Sequence, residues 1–206
     1  IKKPLFNKVV AITGGAMGYG EGIARLLFAE GANVVIMDIN EEAGRSLALE
    51  LNTQVSTNRA WFVRADVSKL DSMKQAVYEC ILEFSGLDVM ISNAGVLKAG
   101  SIEEMDVDSF DLVTRVNYAG YFNCVKAASP VMKLQNTHSK DNYSDIIQIN
   151  SKSGLTGSKK NFAYAGGKFG GIGLTQSFAL ELAPFRIKVN SICPGNFFEG
   201  PLWSDP

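Results

Sequence analysis

Six short runs rich in β-branched residues recur along the 206-residue chain, at 8–13, 33–38, 60–65, 87–92, 145–150 and 187–193, and they constrain its fold more than any other feature. Each is almost continuously apolar, as a strand covered on both faces must be. Between them lie segments of helical periodicity at 18–30, 41–52, 70–84, about 106–134 and about 163–183. Strand alternating with helix predicts crossover connections, hence an α/β fold with one parallel sheet and helices on both faces. Gly31 ends the first helical pattern, and Asp71 and Asp106 place negative charge near the starts of theirs. The expected strand order is 3-2-1-4-5-6. No repeat, low-complexity stretch or linker divides the chain, so residues 1–206 are read as a single domain.

Composition removes several classes of function. A formal net charge of −1 and the absence of any basic run longer than a pair supply no field for a polyanion, so nucleic acid is not an expected partner. No apolar stretch approaches the ~20 residues that span a bilayer, and no signal peptide precedes the first strand, so no membrane partner is expected either. Cys80, Cys124 and Cys193 are widely spaced in apolar surroundings and read as buried thiols of a reducing compartment, which makes the expected location cytoplasmic. His138, the one histidine, has no second histidine or cysteine pair beside it, so no metal site is expected.

Two features carry chemistry. The first strand runs into Thr13-Gly14-Gly15-Ala16-Met17-Gly18-Tyr19-Gly20 and a helix follows at once. Glycines let the backbone turn tightly and approach a pyrophosphate, while the helix start offers amides and partial positive charge. The spacing is Gly-x-x-x-Gly-x-Gly, and in this strand-to-helix context it predicts a Rossmann-type dinucleotide site. Asp38 ends the second strand 18 residues past Gly20, where a carboxylate accepts from ribose hydroxyls and repels a 2′-phosphate. With neutral Ile39 and Asn40 after it, the expected cofactor is NAD. The plain alternative is that Asp38 only caps the next helix. The second feature is Tyr164-Ala165-Gly166-Gly167-Lys168, thirteen residues beyond Ser151. Residues four apart share a helix face, so the Lys168 ammonium is expected to favour the ionised Tyr164 phenol and bring it toward neutrality. Hydride transfer between a nicotinamide and a carbonyl or alcohol carbon is the reaction these parts suit.

These residues resemble the short-chain dehydrogenase/reductase family, and the resemblance runs along essentially the whole chain. Its landmarks are Gly14, Gly18 and Gly20; Asp66 and Val67 after the third strand; Asn93, Ala94 and Gly95 after the fourth; Asn117 in the long helix; Ser151; Tyr164 and Lys168; and Pro194 and Gly195 after the sixth strand. The resemblance implies that Asn117, Ser151, Tyr164 and Lys168 are catalytic, with Asn117 positioning a water that links the lysine to solvent. It implies that Gly14, Gly18, Tyr19, Gly20, Asp38, Asp66, Val67, Asn93, Ala94, Gly95, Tyr164, Lys168, Pro194 and Gly195 hold the cofactor. Each residue alone has a bland reading, as loop hydroxyl, core aromatic, solvated lysine or helix amide; the ordered set favours the functional one.

Helix 163–183 carries Gly166, Gly167, Gly170, Gly171 and Gly173, each costing about 1 kcal/mol relative to alanine. Gly166, Gly170 and Gly173 share one face, where a second backbone could approach, and the resemblance implies a homodimer or homotetramer packed on that helix. Members of the family usually continue well past Pro194-Gly195, and a sixth strand left as a bare apolar edge is unusual, so a C-terminal truncation is expected. The start at Ile1 points to trimming in the same way. The stretch from Ile146 to Ser177 resembles the branch of the family that interconverts sorbitol 6-phosphate and fructose 6-phosphate with NAD. Lys152, Lys159 and Lys160 follow the catalytic serine and suit a dianionic phosphate, and Asn196 adds an amide for a sugar hydroxyl. The expected substrate is therefore a small sugar phosphate or polyol. A 3-oxoacyl or steroid-like ketone remains an alternative, as does a non-catalytic nucleotide-binding subunit.

Overall fold

A computed structural model describes residues 3–54 and 57–195. Its single sheet has the order β3-β2-β1-β4-β5-β6, all neighbours parallel, from β1 (Val9–Thr13), β2 (Asn33–Asp38), β3 (Ala60–Arg64), β4 (Val89–Ser92), β5 (Ser144–Ile149) and β6 (Ile187–Ile192). The central register places Ala11 between Val35 and Met90. All five β1 residues are buried, as expected of a strand with neighbours on both edges and helices on both faces.

Side chains alternate across the sheet and make two cores. Val10, Ile12, Val34 and Ile36 face α1 (Gly18–Ala29) and α2 (Glu41–Asn52) and pack on Ala24, Phe28, Leu47 and Leu51. Ala11, Val35, Met37 and Met90 point the other way, toward Met73 and Val77 of α3 (Leu70–Phe84) and Tyr121 and Cys124 of α5 (Gly120–His138). On that same side α6 (Phe162–Leu182) adds Leu174, Phe178 and Leu182.

Helix boundaries follow the sequence signals. Asn40 caps α2 by accepting from the Ala43 amide, and Asp106 caps α4 (Val107–Thr114) by accepting from Ser109, 2.6 Å away. After α1 the chain turns at Gly31 with φ of +95°, a conformation that favours glycine. The long helix expected over 106–134 differs in one respect. A π-helical segment, Arg115–Ala119, interrupts it before it runs on through Pro130 to His138. Such segments are frequent at functional sites, and this one carries the buried Asn117.

Gly44 is fixed by close approach. A Cβ built there would lie 2.2 Å from the Phe62 ring, which also carries the Arg45 guanidinium 5.5 Å from its centroid. Alanine is the better helix former by about 1 kcal/mol, but forcing the ring aside costs typically 1–3 kcal/mol. Gly44→Ala is expected to lower the urea midpoint, and an unchanged or raised midpoint would show that the ring gives way freely.

Candidate active site

The carboxyl ends of β1, β4 and β5 lie side by side at one end of the sheet, and the glycine turn is locked there by the side chains of Asn93, just past β4, and Thr13, the last residue of β1. Asn93 Nδ2 donates to the carbonyls of Thr13 (3.0 Å) and Gly14 (2.9 Å), while Thr13 Oγ1 accepts from the amides of Asn93 and Ala94. Gly14 takes φ of +60° with Ala94 Cα 2.8 Å from its would-be Cβ, and a Cβ at Gly20 would fall 1.9 Å from the Gly14 carbonyl oxygen. These glycines hold the turn's own shape, and the first turn of α1, whose N-cap Met17 supplies no side-chain bond, presents its amides at that end.

Asp38 lies beside this turn, 9% exposed, with Oδ2 accepting from Ala16 N and Oδ1 from Asn40 N, both at 3.0 Å. The cap of α2 is Asn40, so Asp38 is not the helix cap. Its carboxylate keeps lone pairs beyond the two amide bonds. Asp66 accepts from the Ser68 amide and hydroxyl and from Lys69. Burial works to raise its pKa, but those bonds outweigh it and hold the carboxyl below its usual range. Val67 is buried, its carbonyl bonded by Asn123 and its side chain seated where a Cβ on Gly120 would collide. Gly95 packs against the Asn117 amide.

Asn117, 3% exposed, pairs with one residue of the loop after β4: Oδ1 accepts from Val96 N and Nδ2 donates to Val96 O, each 2.8 Å. Asn117 lies within the π segment. Ser151 follows β5 with its Oγ accepting from Ser153 N at 3.1 Å. Tyr164 and Lys168 share a face of α6, the Lys168 ammonium 5.4 Å from the Tyr164 ring centroid. Lys168 is 5% exposed, and its Nζ donates to the Ile149 carbonyl at 2.9 Å. Pro194, just past β6, accepts from Lys152 N, and Gly195 beside it is exposed. Tyr19, 41% exposed, interacts electrostatically with the Tyr164 phenol, which brings the glycine turn and α6 to one place.

One expectation fails here. The Tyr164 pKa is raised, first by burial, with Ser151 opposing and Tyr19 adding to it. Lys168 is not among the groups that set it; its own pKa is lowered by burial to about 8 despite an opposing contribution from Cys193, and its Nζ bonds Ile149 O. Two more readings change. Gly170 does not leave room for a second chain, since Tyr118 of the same chain fills it, with Cε2 2.6 Å from the would-be Cβ; Gly166 and Gly173 do meet nothing within 4 Å. Lys160 lies 3.7 Å from Glu104 and is not a third unpaired cation, whereas Lys152 and Lys159 are exposed. Cys193 is half-buried, unlike the buried Cys80 and Cys124. Asn196 lies outside the described residues. Among those residues there is no cluster of groups able to hold a metal ion and no helix long and apolar enough to cross a membrane.

The sequence reading missed Asn150. It is 4% exposed and bonds both to the Ser151 amide and to α6. Its signal was present, because Gln148 and Asn150 are polar residues that alternate with Ile147 and Ile149.

Comparison with known proteins agrees with this geometry. A family model described as short chain dehydrogenase matches residues 8–200. The chain is 41% identical over 194 residues to trans-4-hydroxycyclohexanecarboxylate dehydrogenase of Sinomonas cyclohexanicum, covering 92% of this chain and 72% of that protein. It is 35% identical over 197 residues to sorbitol-6-phosphate 2-dehydrogenase of Escherichia coli (strain K12), covering 96% and 74%. Among solved structures, 3-ketoacyl-(acyl-carrier-protein) reductase from Brucella melitensis complexed with NADH superposes with a TM-score of 0.89 at 28% identity, covering 97% of this chain and 79% of that one.

Burial of Lys168 makes a stability prediction. Its folded pKa of about 8 lies below the ordinary 10.5, so between those values the unfolded chain binds more protons and stability contributed by this group rises with pH. The penalty is full below pH 8 and gone above 10.5. Urea melts of wild type and Lys168→Met across this range should show the difference moving in the wild type's favour by about 3 kcal/mol. Parallel profiles would show that the ammonium is not penalised.

Proposed function

The chain belongs to the short chain dehydrogenase family and is an oxidoreductase of alcohol and ketone groups; on that premise we propose that it uses NAD(H) and that Tyr164 is its proton donor and acceptor. The observation that carries this is the meeting of Ser151, Tyr164 and Lys168 with the glycine turn at one end of the sheet. The residues present fit a dinucleotide. The start of α1 would take the pyrophosphate, Asp38 the adenosine ribose, and Asp66 with Val67 the adenine, while Asn93, Ala94 and Gly95 shape the floor and Pro194 and Gly195 lie beyond β6. An NADH-bound structural neighbour supports the choice of cofactor, and the carboxylate of Asp38 with neutral residues after it disfavours a 2′-phosphate.

NAD(H), when bound, supplies or accepts the hydride. In the reductive direction Ser151 Oγ donates to the substrate carbonyl and Tyr164 passes its phenolic proton to the same oxygen. Lys168, held by Ile149 O, is aligned to reach a ribose hydroxyl, and Asn117, fixed to Val96, keeps the loop beside the site in place. A phenol with a raised pKa is protonated at neutral pH. That suits ketone reduction, so reduction should persist through neutrality and fall only at alkaline pH, with oxidation rising in the same range.

For the substrate we propose sorbitol 6-phosphate and fructose 6-phosphate. The exposed Lys152 and Lys159 beside Ser151 support an anionic partner, and the names of the two relatives above describe a phosphate and a carboxylate. Glu104 neutralises Lys160, so the phosphate reading rests on two cations. Assembly as a homodimer or homotetramer through α4 and α6 is supported by the exposed Phe110, Tyr118 and Phe169 beside Gly166; light scattering at micromolar concentration should find no monomer.

Tyr164→Phe should lose turnover by 10²-fold or more, the worth of a general acid, while binding NADH nearly as well as wild type. Activity above about a tenth of wild type would remove Tyr164 from the proton step. A panel of fructose 6-phosphate, fructose and 4-oxocyclohexanecarboxylate, each with NADH and NADPH, tests the finer reading. The phosphate ester with NADH is expected to be fastest, and losing a responsible lysine through Lys152→Ala or Lys159→Ala should cost about 1.5–3 kcal/mol. Equal rates on fructose and its phosphate would exclude the phosphate pocket.

A further inference from the structure

Beneath the catalytic residues lies a buried polar network that joins β5, α5 and α6. Gln148, Asn150, Thr175 and Tyr121 are 2%, 4%, 8% and 2% exposed. Tyr121 Oη and Thr175 Oγ1 are 3.1 Å apart, and Gln148 Oε1 accepts from Asn150 Nδ2 (2.9 Å), Ser191 Oγ (3.2 Å) and Thr175 Oγ1 (3.4 Å). The Asn150 amide is the node nearest the chemistry. Nδ2 also donates to the Lys168 carbonyl at 2.9 Å, and Oδ1 accepts from Ser151 N at 2.8 Å. A backbone carbonyl can only accept and a backbone amide can only donate, so these two bonds fix the orientation of the side chain.

Two glycines show how closely the surroundings are fitted to it. A Cβ at Gly154 would lie 2.4 Å from Asn150 Oδ1 and 3.0 Å from Lys168 O, and one at Gly171 would lie 2.3 Å from Gln148 Nε2. Helix α6 and the turn after β5 thus close directly on the amides. The Asn150 backbone is held as well, its N–H donating to Ile192 O at 2.7 Å. The Asn150 amide therefore bonds both Ser151 and the backbone of Lys168, one from each of the two elements that must align.

We propose that Asn150 is a positioning residue for the reaction, its amide setting the placement of Ser151 against Tyr164 and Lys168 by tying the end of β5 to the backbone of α6. It touches neither substrate nor cofactor. It acts through the Ser151 amide on one side and the Lys168 carbonyl on the other, while Lys168 Nζ returns the tie to Ile149 O. Removing it frees the two elements to shift by fractions of an ångström, and a misplacement of about 1 Å costs on the order of 10²-fold in rate.

The inference rests on Tyr164 being the proton donor, so its test has a readout independent of turnover. Asn150→Ala removes both ties. Asn150→Asp keeps the shape and the acceptor but removes the donor facing Lys168 O, and it carries the test if the alanine variant does not fold. Both should bind NADH within about threefold of wild type and lose kcat by about 10–100-fold, with KM changing less. Ultraviolet titration of the Tyr164 phenol, isolated by difference against Tyr164→Phe, should shift to higher pH as Ser151 moves away. The groups facing that phenol are Ser151, Tyr19 from α1 and Lys168 from α6, with Cys193 acting through Lys168. Amide exchange at Ser151 should quicken. A shifted titration in a chain that reduces no ketone would keep the positioning role and reject the reductase reading. Wild-type kcat and an unshifted titration in a folded variant would overturn the inference, as would a fall in NADH binding equal to the fall in rate.

Discussion

The bond from the Lys168 ammonium to the Ile149 carbonyl is the interaction on which the rest of the site depends. A cation buried to 5% exposure is costly unless it is paired or hydrogen-bonded, and here its partner is the last carbonyl of β5. That choice fixes how α6 lies across the strand end. It places Tyr164 one turn back along the same helix face, beside Ser151.

A second constraint is close approach. Thr13 and Asn93 knit the glycine turn to the end of β4, and no side chain larger than hydrogen fits at Gly14 or Gly20 without moving backbone. The same logic recurs under α6, where Gly154 and Gly171 admit the Asn150 and Gln148 amides. The glycines of this helix thus divide by role. Gly170 and Gly171 receive neighbours from their own chain, and Gly166 and Gly173 face open space.

Much of this was legible in the residues. Continuous apolar runs set all six strands to within two residues at each end, because a doubly covered strand leaves little room for any other pattern. The order of the landmarks placed Ser151, Tyr164 and Lys168 before any coordinate was needed. What the sequence could not convey was competition between partners. A spacing of four puts Lys168 beside Tyr164 but does not say that the ammonium bonds the Ile149 carbonyl. Three lysines on one loop read as a phosphate cradle until Glu104, distant in sequence, neutralises Lys160. The π segment at Asn117 was equally silent, and so was the pairing of its amide with the backbone of Val96.

The central claim is that hydride passes between a nicotinamide and a substrate carbon at this end of the sheet. The most direct measurement is isotope transfer, using NADH deuterated at either face of C4 with fructose 6-phosphate and reading the alcohol product by mass spectrometry. The account predicts that one of the two labelled cofactors, and only one, delivers deuterium to the new carbinol carbon. Product without label from both cofactors, or label lost to water, would contradict it.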